Sequence, residues 1–171
     1  MSRPDGKRAL VAYGTKHGST REIAEAIAEE LRAQGLDADC VEAGEVGDLD
    51  SYSSVVLGSA VYIKRWRRDA KALLKRDGDA LAERDLWIFS SGPCGEPDPE
   101  KDESGFLEPG WVVQRAEELG AREHVVFGGR VPQDPSNFVE RAMLKSTPEE
   151  FQDLRDWDEI RAWARKIAAS A

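Results

Sequence analysis

The sequence has little cysteine and no long apolar run, and each of these features argues against one class of protein. Its 171 residues contain two cysteines, Cys40 and Cys94, which are too few for the disulfide framework of a small secreted domain. No apolar stretch reaches the roughly 20 residues that a transmembrane helix needs, and no signal-peptide core follows Met1. We therefore expect a cytoplasmic protein without a transmembrane segment, while peripheral contact with a membrane stays open.

Histidine and positive charge are also scarce. The two histidines, His17 and His124, are not placed like the usual acid–base catalysts, so we predict neither a catalytic residue nor a metal site. The 24 Lys and Arg residues against 33 Asp and Glu give a formal net charge of −9, which argues against nucleic acid as a partner. The length predicts one domain over residues 7–171, after a short polar tail formed by residues 1–6.

The most informative stretch is residues 8–31, which predicts a strand, a tight loop and a helix. Ala9 to Tyr13 is a continuous apolar run that is typical of a buried strand. Gly14 to Thr20 form a short turn that is rich in glycine and hydroxyl groups. The helix is indicated by apolar residues at helical spacing, namely Ile23, Ala24, Ile27, Ala28 and Leu31.

This turn is suited to binding a phosphate group. Backbone N–H groups at a helix N-terminus lack intrahelical partners and carry the positive end of the helix dipole. Gly18 lets the backbone approach a ligand closely, and the hydroxyls of Thr15, Ser19 and Thr20 are further donors. The spacing matches neither the mononucleotide P-loop nor the dinucleotide G-x-G-x-x-G motif. The competing interpretation is an ordinary helix for which Ser19 is the N-cap.

Residues 11–27 resemble the flavodoxin signature. The matching positions are Val11, Tyr13, Thr15, Gly18, Thr20, Ala24 and Ile27, while Ala12 is smaller than the usual residue. The resemblance implies that the loop binds the phosphate of flavin mononucleotide (FMN). Thr15, Gly18 and Thr20 match the signature position by position. We place Lys16, His17 and Ser19 in the same site through their backbone amides.

Four further strands are predicted, at residues 37–42, 54–58, 86–90 and 124–128, and helical patterns separate most of them. This alternation predicts an α/β fold. We expect a flavodoxin-like doubly wound sheet of five parallel strands in the order 2-1-3-4-5, within a three-layer α/β/α arrangement. Ligands of such sheets bind at the carboxyl ends of the strands, here between the first and third strands.

Two more loops are predicted at the same edge of the sheet. One contains Ser59, Ala60, Val61 and Tyr62, and the other contains Ser91, Gly92, Pro93, Cys94 and Gly95. We predict that both frame the flavin ring, with Tyr62 stacked on the ring and the backbone of the second loop tuning its potential. The alternative is that Tyr62 only covers the end of the sheet. Cys94 has no adjacent base, so we do not expect it to be catalytic.

Two charged segments have more than one interpretation. The basic run around Trp66 is either a solvated helix face or a site beside the crevice that recruits an anionic substrate through Arg65, Arg67 and Arg68. The acidic, proline-containing residues 96–110 form either a lid over the cofactor or a docking surface for a basic partner.

The segments GSAVYIKRW, FSSGPCG, VVFGGRV and RDWDEIRAWARKIA resemble the flavodoxin-domain proteins related to menaquinone-dependent protoporphyrinogen oxidase. The resemblance implies an FMN-dependent oxidoreductase that acts on a protoporphyrinogen-like substrate with a quinone acceptor. It also makes residues 129–155 a family-specific insertion before the last helix. One alternative is a one-electron carrier between redox partner proteins, which the acidity favours and which the basic run and the long insertion oppose. Another is a flavin-free binding or regulatory protein on the same fold.

Overall fold

The computed structural model describes residues 7–62, 65–92 and 110–171. The first half contains β1 (Arg8–Gly14), α1 (Ser19–Ala33), β2 (Asp37–Glu42), β3 (Ser54–Tyr62), β4 (Arg65–Trp66), α2 (Arg68–Arg76) and α3 (Gly78–Ala82). The second half contains β5 (Asp85–Ser91), α4 (Gly110–Glu118), β6 (Glu123–Phe127), α5 (Phe138–Ser146) and α6 (Trp157–Ser170). None of these described helices has the length and apolar character needed to cross a bilayer.

Five parallel strands form the sheet in the order β2-β1-β3-β5-β6. The predicted order 2-1-3-4-5 is therefore confirmed, since the predicted fourth and fifth strands are β5 and β6. In the middle of β1, Val11 lies between Cys40 of β2 and Val56 of β3. A strand with neighbours on both edges and helices on both faces is shielded from water, which explains the continuous apolar run.

The third strand is longer than the sequence predicted. It continues past Gly58 to Tyr62, because Val61 and Tyr62 pair antiparallel with the two residues of β4. The expectation of a loop directly after Gly58 is therefore wrong. These residues form one arm of a short hairpin, and the hairpin extends from the carboxyl end of the sheet.

The basic run is not a continuous helix face. Arg65 and Trp66 form β4, and α2 begins only at Arg68. Trp66 is buried and donates its indole N–H to Ser90 Oγ at 2.9 Å, and the same oxygen lies 3.0 Å from His124 Nε2. This polar chain links β4 to β5 and β6, so it fixes the hairpin to the sheet and agrees with a structural role for His124.

Helices bury both faces of the sheet. On one face α1 packs with α6, whose apolar residues Ile160, Trp163, Ala164 and Ile167 are all buried. The Trp163 ring lies edge-on to Phe127, with 5.5 Å between the ring centroids, and it also contacts Phe89. The other face is covered by apolar residues of α2, α3 and α4, which include Leu73, Leu74, Leu81 and Val112.

Residues 129–155, which we call the connecting segment, run from β6 to α6. The two ends of this segment lie side by side, because Leu154 N–H donates to Gly129 O at 2.9 Å and Val131 N–H donates to Gln152 O at 2.7 Å. A Cβ on neighbouring Gly128 would lie 2.0 Å from Leu154 O, so only glycine permits this close approach. We call these paired ends the stem.

Arg155 joins the stem to α1. Its side chain is 4% exposed, and the guanidinium pairs with Glu22 and Asp153 and donates to the carbonyl oxygen of Ser19. By contrast, α5 projects into solvent at the tip of the connecting segment, and Phe138 and Val139 are 77% and 63% exposed. Glu140 is the one buried residue of that helix.

Candidate functional site

The loop between β1 and α1 has an ordered turn and a helix end without a side-chain cap. Thr15 Oγ1 accepts a hydrogen bond from Gly18 N–H at 2.9 Å, and Gly18 has a φ of +90°, in the left-handed region that favours glycine. Gly18 is the N-cap of α1, so the alternative in which Ser19 is the N-cap is wrong. The first N–H groups of α1 therefore have no side-chain partner and lie at the positive end of the dipole of a 15-residue helix.

Thr20 supplies an independent sign that an anion fits here. Its side chain is completely buried, and Oγ1 has no hydrogen-bond partner among the described residues. Buried hydroxyls nearly always have a partner, and an unpaired one costs free energy. Thr20 lies in the first turn of α1, where a bound phosphate oxygen would accept this hydrogen bond. The residues present thus fit the phosphate of FMN.

Glu140 of α5 contacts the side chains of two loop residues, Lys16 and His17. The Glu140 carboxylate is 1% exposed, pairs with Lys16 Nζ, and lies 2.9 Å from His17 Nε2. It also accepts hydrogen bonds from Ser136 N–H at 3.0 Å and from Asn137 Nδ2 at 3.1 Å. Sequence reasoning did not identify Glu140 as a site residue.

The environment of Glu140 keeps the carboxylate charged. Burial alone raises its pKa, but hydrogen bonds from Lys16, the Ser136 backbone N–H and His17 outweigh burial and hold the pKa well below its usual range. The same hydrogen bond raises the pKa of Lys16. The pair is therefore ionic at neutral pH, and α5 contacts the phosphate loop through it.

Tyr62 lies beside this ionic pair at the end of β3. Its hydroxyl is 3.4 Å from Glu140 Oε1, and Lys16 Nζ lies over its ring, 4.1 Å from the centroid. The structure thus brings Tyr62 next to the phosphate loop. In this arrangement a cation covers one face of the ring that we predict to stack on the flavin.

The other predicted ring contacts lie at the ends of β3 and β5. Ser59 is fully buried, and its Oγ accepts from Arg67 N–H at 2.8 Å, so this side chain supports the backbone rather than facing a ligand. Ala60, which is half-buried, pairs with Ser91 across the strands, and Val61 is also half-buried. Gly92 donates its N–H to Phe127 O at 2.9 Å. The predicted contacts Pro93, Cys94 and Gly95, and loop residues 96–109, lie outside the described residues.

Two clefts border the phosphate loop. One, of about 360 Å³, is lined by Lys16, His17 and Ser19 together with residues 130–134 of the connecting segment. The other, of about 490 Å³, has Thr15 on its wall beside Arg67, Arg68 and Arg76, with Glu42 and Asp69 also present. Arg65 lines neither cleft and is exposed in β4. Of the three arginines that the sequence suggested as substrate ligands, Arg67 and Arg68 line a cleft and Arg65 does not.

Cys40, at the centre of β2, is expected to be chemically inert. Burial, helped by the negative charge of Glu25, raises the pKa of its thiol to about 11. The thiolate fraction at pH 8 is then on the order of a hundredfold lower than for an exposed cysteine. We expect iodoacetamide to label Cys40 about a hundredfold more slowly in the folded protein than in urea, measured by peptide mass spectrometry. Equal rates would mean that β2 opens readily at the sheet edge.

No group of three His, Cys, Asp or Glu side chains among the described residues could hold a metal ion. The phosphate loop and the cleft beside it instead present hydroxyls, backbone amides and basic side chains. Such donors bind a phosphate group but do not form a metal centre.

Comparison with known proteins agrees with this fold. A family model described as the flavodoxin domain matches residues 10–153. Oxidised flavodoxin 1 from Bacillus cereus superimposes with a TM-score of 0.63 at 15% identity, covering 96% of this chain and 99% of that one. Oxidised flavodoxin 2 from the same organism gives 0.63 at 19% identity over the same shares. The rubredoxin oxygen:oxidoreductase of Desulfovibrio gigas gives 0.61 at 11% identity, covering 95% of this chain but only 35% of that one.

Proposed function

This chain belongs to the flavodoxin-domain family, and from that premise we propose that it binds FMN and acts as an FMN-dependent oxidoreductase in electron transfer. The observation that carries the proposal is the buried, unpaired hydroxyl of Thr20 at the uncapped N-terminus of α1. A phosphate group would supply the missing partner of that hydroxyl and would also accept from the free amides of the helix end.

The residues of the loop bind and orient the cofactor. The N–H groups at the start of α1 and the hydroxyls of Ser19 and Thr20 hold the phosphate, while the Thr15–Gly18 hydrogen bond fixes the turn. Tyr62 and the backbone of Ser91 and Gly92 lie at the strand ends where the ring would be placed. FMN, when bound, supplies the electron chemistry, and the protein supplies its position and electrostatics.

For the substrate, we propose an organic molecule with carboxylate groups, of the protoporphyrinogen type, with a quinone as the acceptor. The supporting observation is the arginine-lined cleft, because Arg67 and Arg68 share it with Thr15 of the phosphate loop. Guanidinium groups bind carboxylates through paired hydrogen bonds. The alternative is a one-electron carrier between redox partner proteins, which the net charge of −9 and the flavodoxin-like fold favour.

An anaerobic reductive titration of the FMN-loaded protein, followed by absorbance, tests this proposal. Binding of one FMN per chain, with reduction in a single two-electron step and reoxidation by a quinone, supports the oxidoreductase. Reduction in two well-separated one-electron steps supports the carrier. If the purified protein binds no FMN at all, both are wrong and a flavin-free function remains.

The arginine cleft makes a separate prediction. Replacing Arg67 and Arg68 together by Gln is expected to raise the KM for protoporphyrinogen about tenfold, because each change removes a charge-assisted contact in a solvent-accessible cleft. The FMN Kd should stay within about twofold. Lys75→Gln is the matched control, since it removes a positive charge from α2 away from the cleft. An unchanged KM in the double variant would exclude these arginines from substrate binding.

A further inference from the structure

We infer that Glu140 is a positioning residue of the cofactor site, which holds Lys16 across Tyr62 and closes α5 over the phosphate loop, so that FMN enters only when this contact opens. The inference rests on the proposed function because it names FMN as the ligand. We call the set of interactions between Glu140 and the side chains of Lys16, His17 and Tyr62 the Glu140 contact.

The Glu140 contact holds the N-terminal part of α5, whereas the C-terminal end is held by the stem, because Gln152 Nε2 donates to Thr147 O at 3.0 Å. Every other residue of this helix is exposed or half-buried, and its largest apolar side chain, Phe138, points into solvent. The usual amphipathic helix buries an apolar stripe against the core, whereas α5 buries one carboxylate. A helix held in this way has little apolar burial to keep it in place once the carboxylate loses its partners.

The stem of the connecting segment is fixed independently of that contact. Its backbone hydrogen bonds join residues 129 and 131 to residues 154 and 152, and Arg155 is tied to α1 through Glu22 and Ser19. Loss of the Glu140 contact would therefore release the tip of the segment while the stem stays in place. The connecting segment can therefore open at α5 while its stem remains attached to the rest of the protein.

The closed position conflicts with a bound cofactor in two ways. Lys16 Nζ lies over one face of the Tyr62 ring, 4.1 Å from its centroid, so a flavin could stack on that face only after Lys16 moves away. In addition, the Glu140 carboxylate already pairs with Lys16 and lies within hydrogen-bond distance of His17, so a phosphate dianion would compete with it for these two side chains. Like charges that share partners in a buried site repel strongly. Binding of FMN should therefore require Glu140 to release Lys16.

Three variants distinguish the effect of α5 closing over the phosphate loop from the effect of the negative charge of Glu140. Glu140→Gln removes the charge, and Glu140→Asp keeps the charge but draws the carboxylate back by one methylene. Glu149→Gln removes one negative charge from an exposed position of the same segment and serves as the control. The association rate of FMN is measured by stopped-flow flavin fluorescence, and the opening of α5 by amide hydrogen exchange of residues 138–146 without FMN. Circular dichroism checks that each variant is folded.

We expect both Glu140→Gln and Glu140→Asp to raise the FMN association rate about tenfold or more, with faster exchange confined to α5, and Glu149→Gln to match the wild type. If Glu140→Asp behaves like the wild type while Glu140→Gln binds faster, charge alone matters and the closure is wrong. If α5 exchanges faster but association is unchanged, α5 does not control entry. A wild-type protein that binds no FMN contradicts the proposed function, whereas a binding wild type with unaltered variants contradicts only this inference.

Discussion

Replacing Thr20 with Val is expected to stabilise the FMN-free protein while weakening its affinity for FMN about ten- to a hundredfold. The buried Thr20 hydroxyl has no partner among the described residues, so the nearly isosteric Val removes an unpaired polar atom without opening a cavity. The unfolding free energy should rise by about 1 kcal/mol. In the complex, the same change removes a hydrogen bond to a charged phosphate, which is worth about 1.5–3 kcal/mol. Urea unfolding and FMN fluorescence titration measure the two effects.

Thr147→Val is the matched control for this pair of measurements. Thr147 is half-buried at the end of α5, and its hydroxyl donates to Met143 O at 2.7 Å. The Thr147→Val substitution should leave the FMN affinity unchanged and should not stabilise the protein. A Thr20→Val variant that is less stable without FMN would show that the hydroxyl has a partner in solution. Unchanged FMN affinity would mean that the phosphate does not bind at the start of α1.

The sheet and the phosphate loop could be predicted because their signals are local. The apolar run of β1, the glycine and hydroxyls of residues 14–20, and the helical spacing of α1 all occur within 24 consecutive residues, 8–31. The strand order then follows from right-handed crossovers between buried parallel strands. Each step uses residues that are close in sequence, so a single sequence contains the information.

Glu140 could not be predicted for the opposite reason. Its partners Lys16 and Tyr62 are 124 and 78 residues away, and nothing in residues 138–146 marks the glutamate as buried. The helical spacing of Phe138, Val139 and Met143 instead points to an apolar buried face, whereas those side chains are exposed. Hydrophobic periodicity predicts the wrong face when a helix is held by a polar contact.

The composition of the segment after Gly58 did not predict that β3 continues to Tyr62 and pairs with β4. Cationic residues dominate the run after Tyr62, and charged runs are typical of solvated helices rather than strands. The hairpin forms because Trp66 is buried against Ser90, which holds β4 beside β3. The tertiary contact overrides the local preference.

Gly58→Ala is expected to cause a large loss of stability, at the point where β3 leaves the core and enters the site. A Cβ there would lie 2.0–2.4 Å from three ring atoms of Phe89. Phe89 is fully buried, and its ring packs against Phe127 and Trp163, with centroids 5.8 and 6.1 Å away. Because the ring has no space to withdraw, we expect a loss of about 3 kcal/mol, at the upper end for overpacking. Urea unfolding monitored by circular dichroism measures it.

A second substitution tests whether the Phe89 ring is the cause. Phe89→Leu alone should destabilise the protein by leaving a cavity, but it removes the ring atoms that the new methyl group would meet. The double variant should therefore lose less stability than the sum of the two single variants. Gly47→Ala is the control, because a Cβ at Gly47 meets no atom within 4 Å. Additive losses would mean that β3 itself shifts to accommodate the methyl group, and then Tyr62 and FMN affinity should change as well.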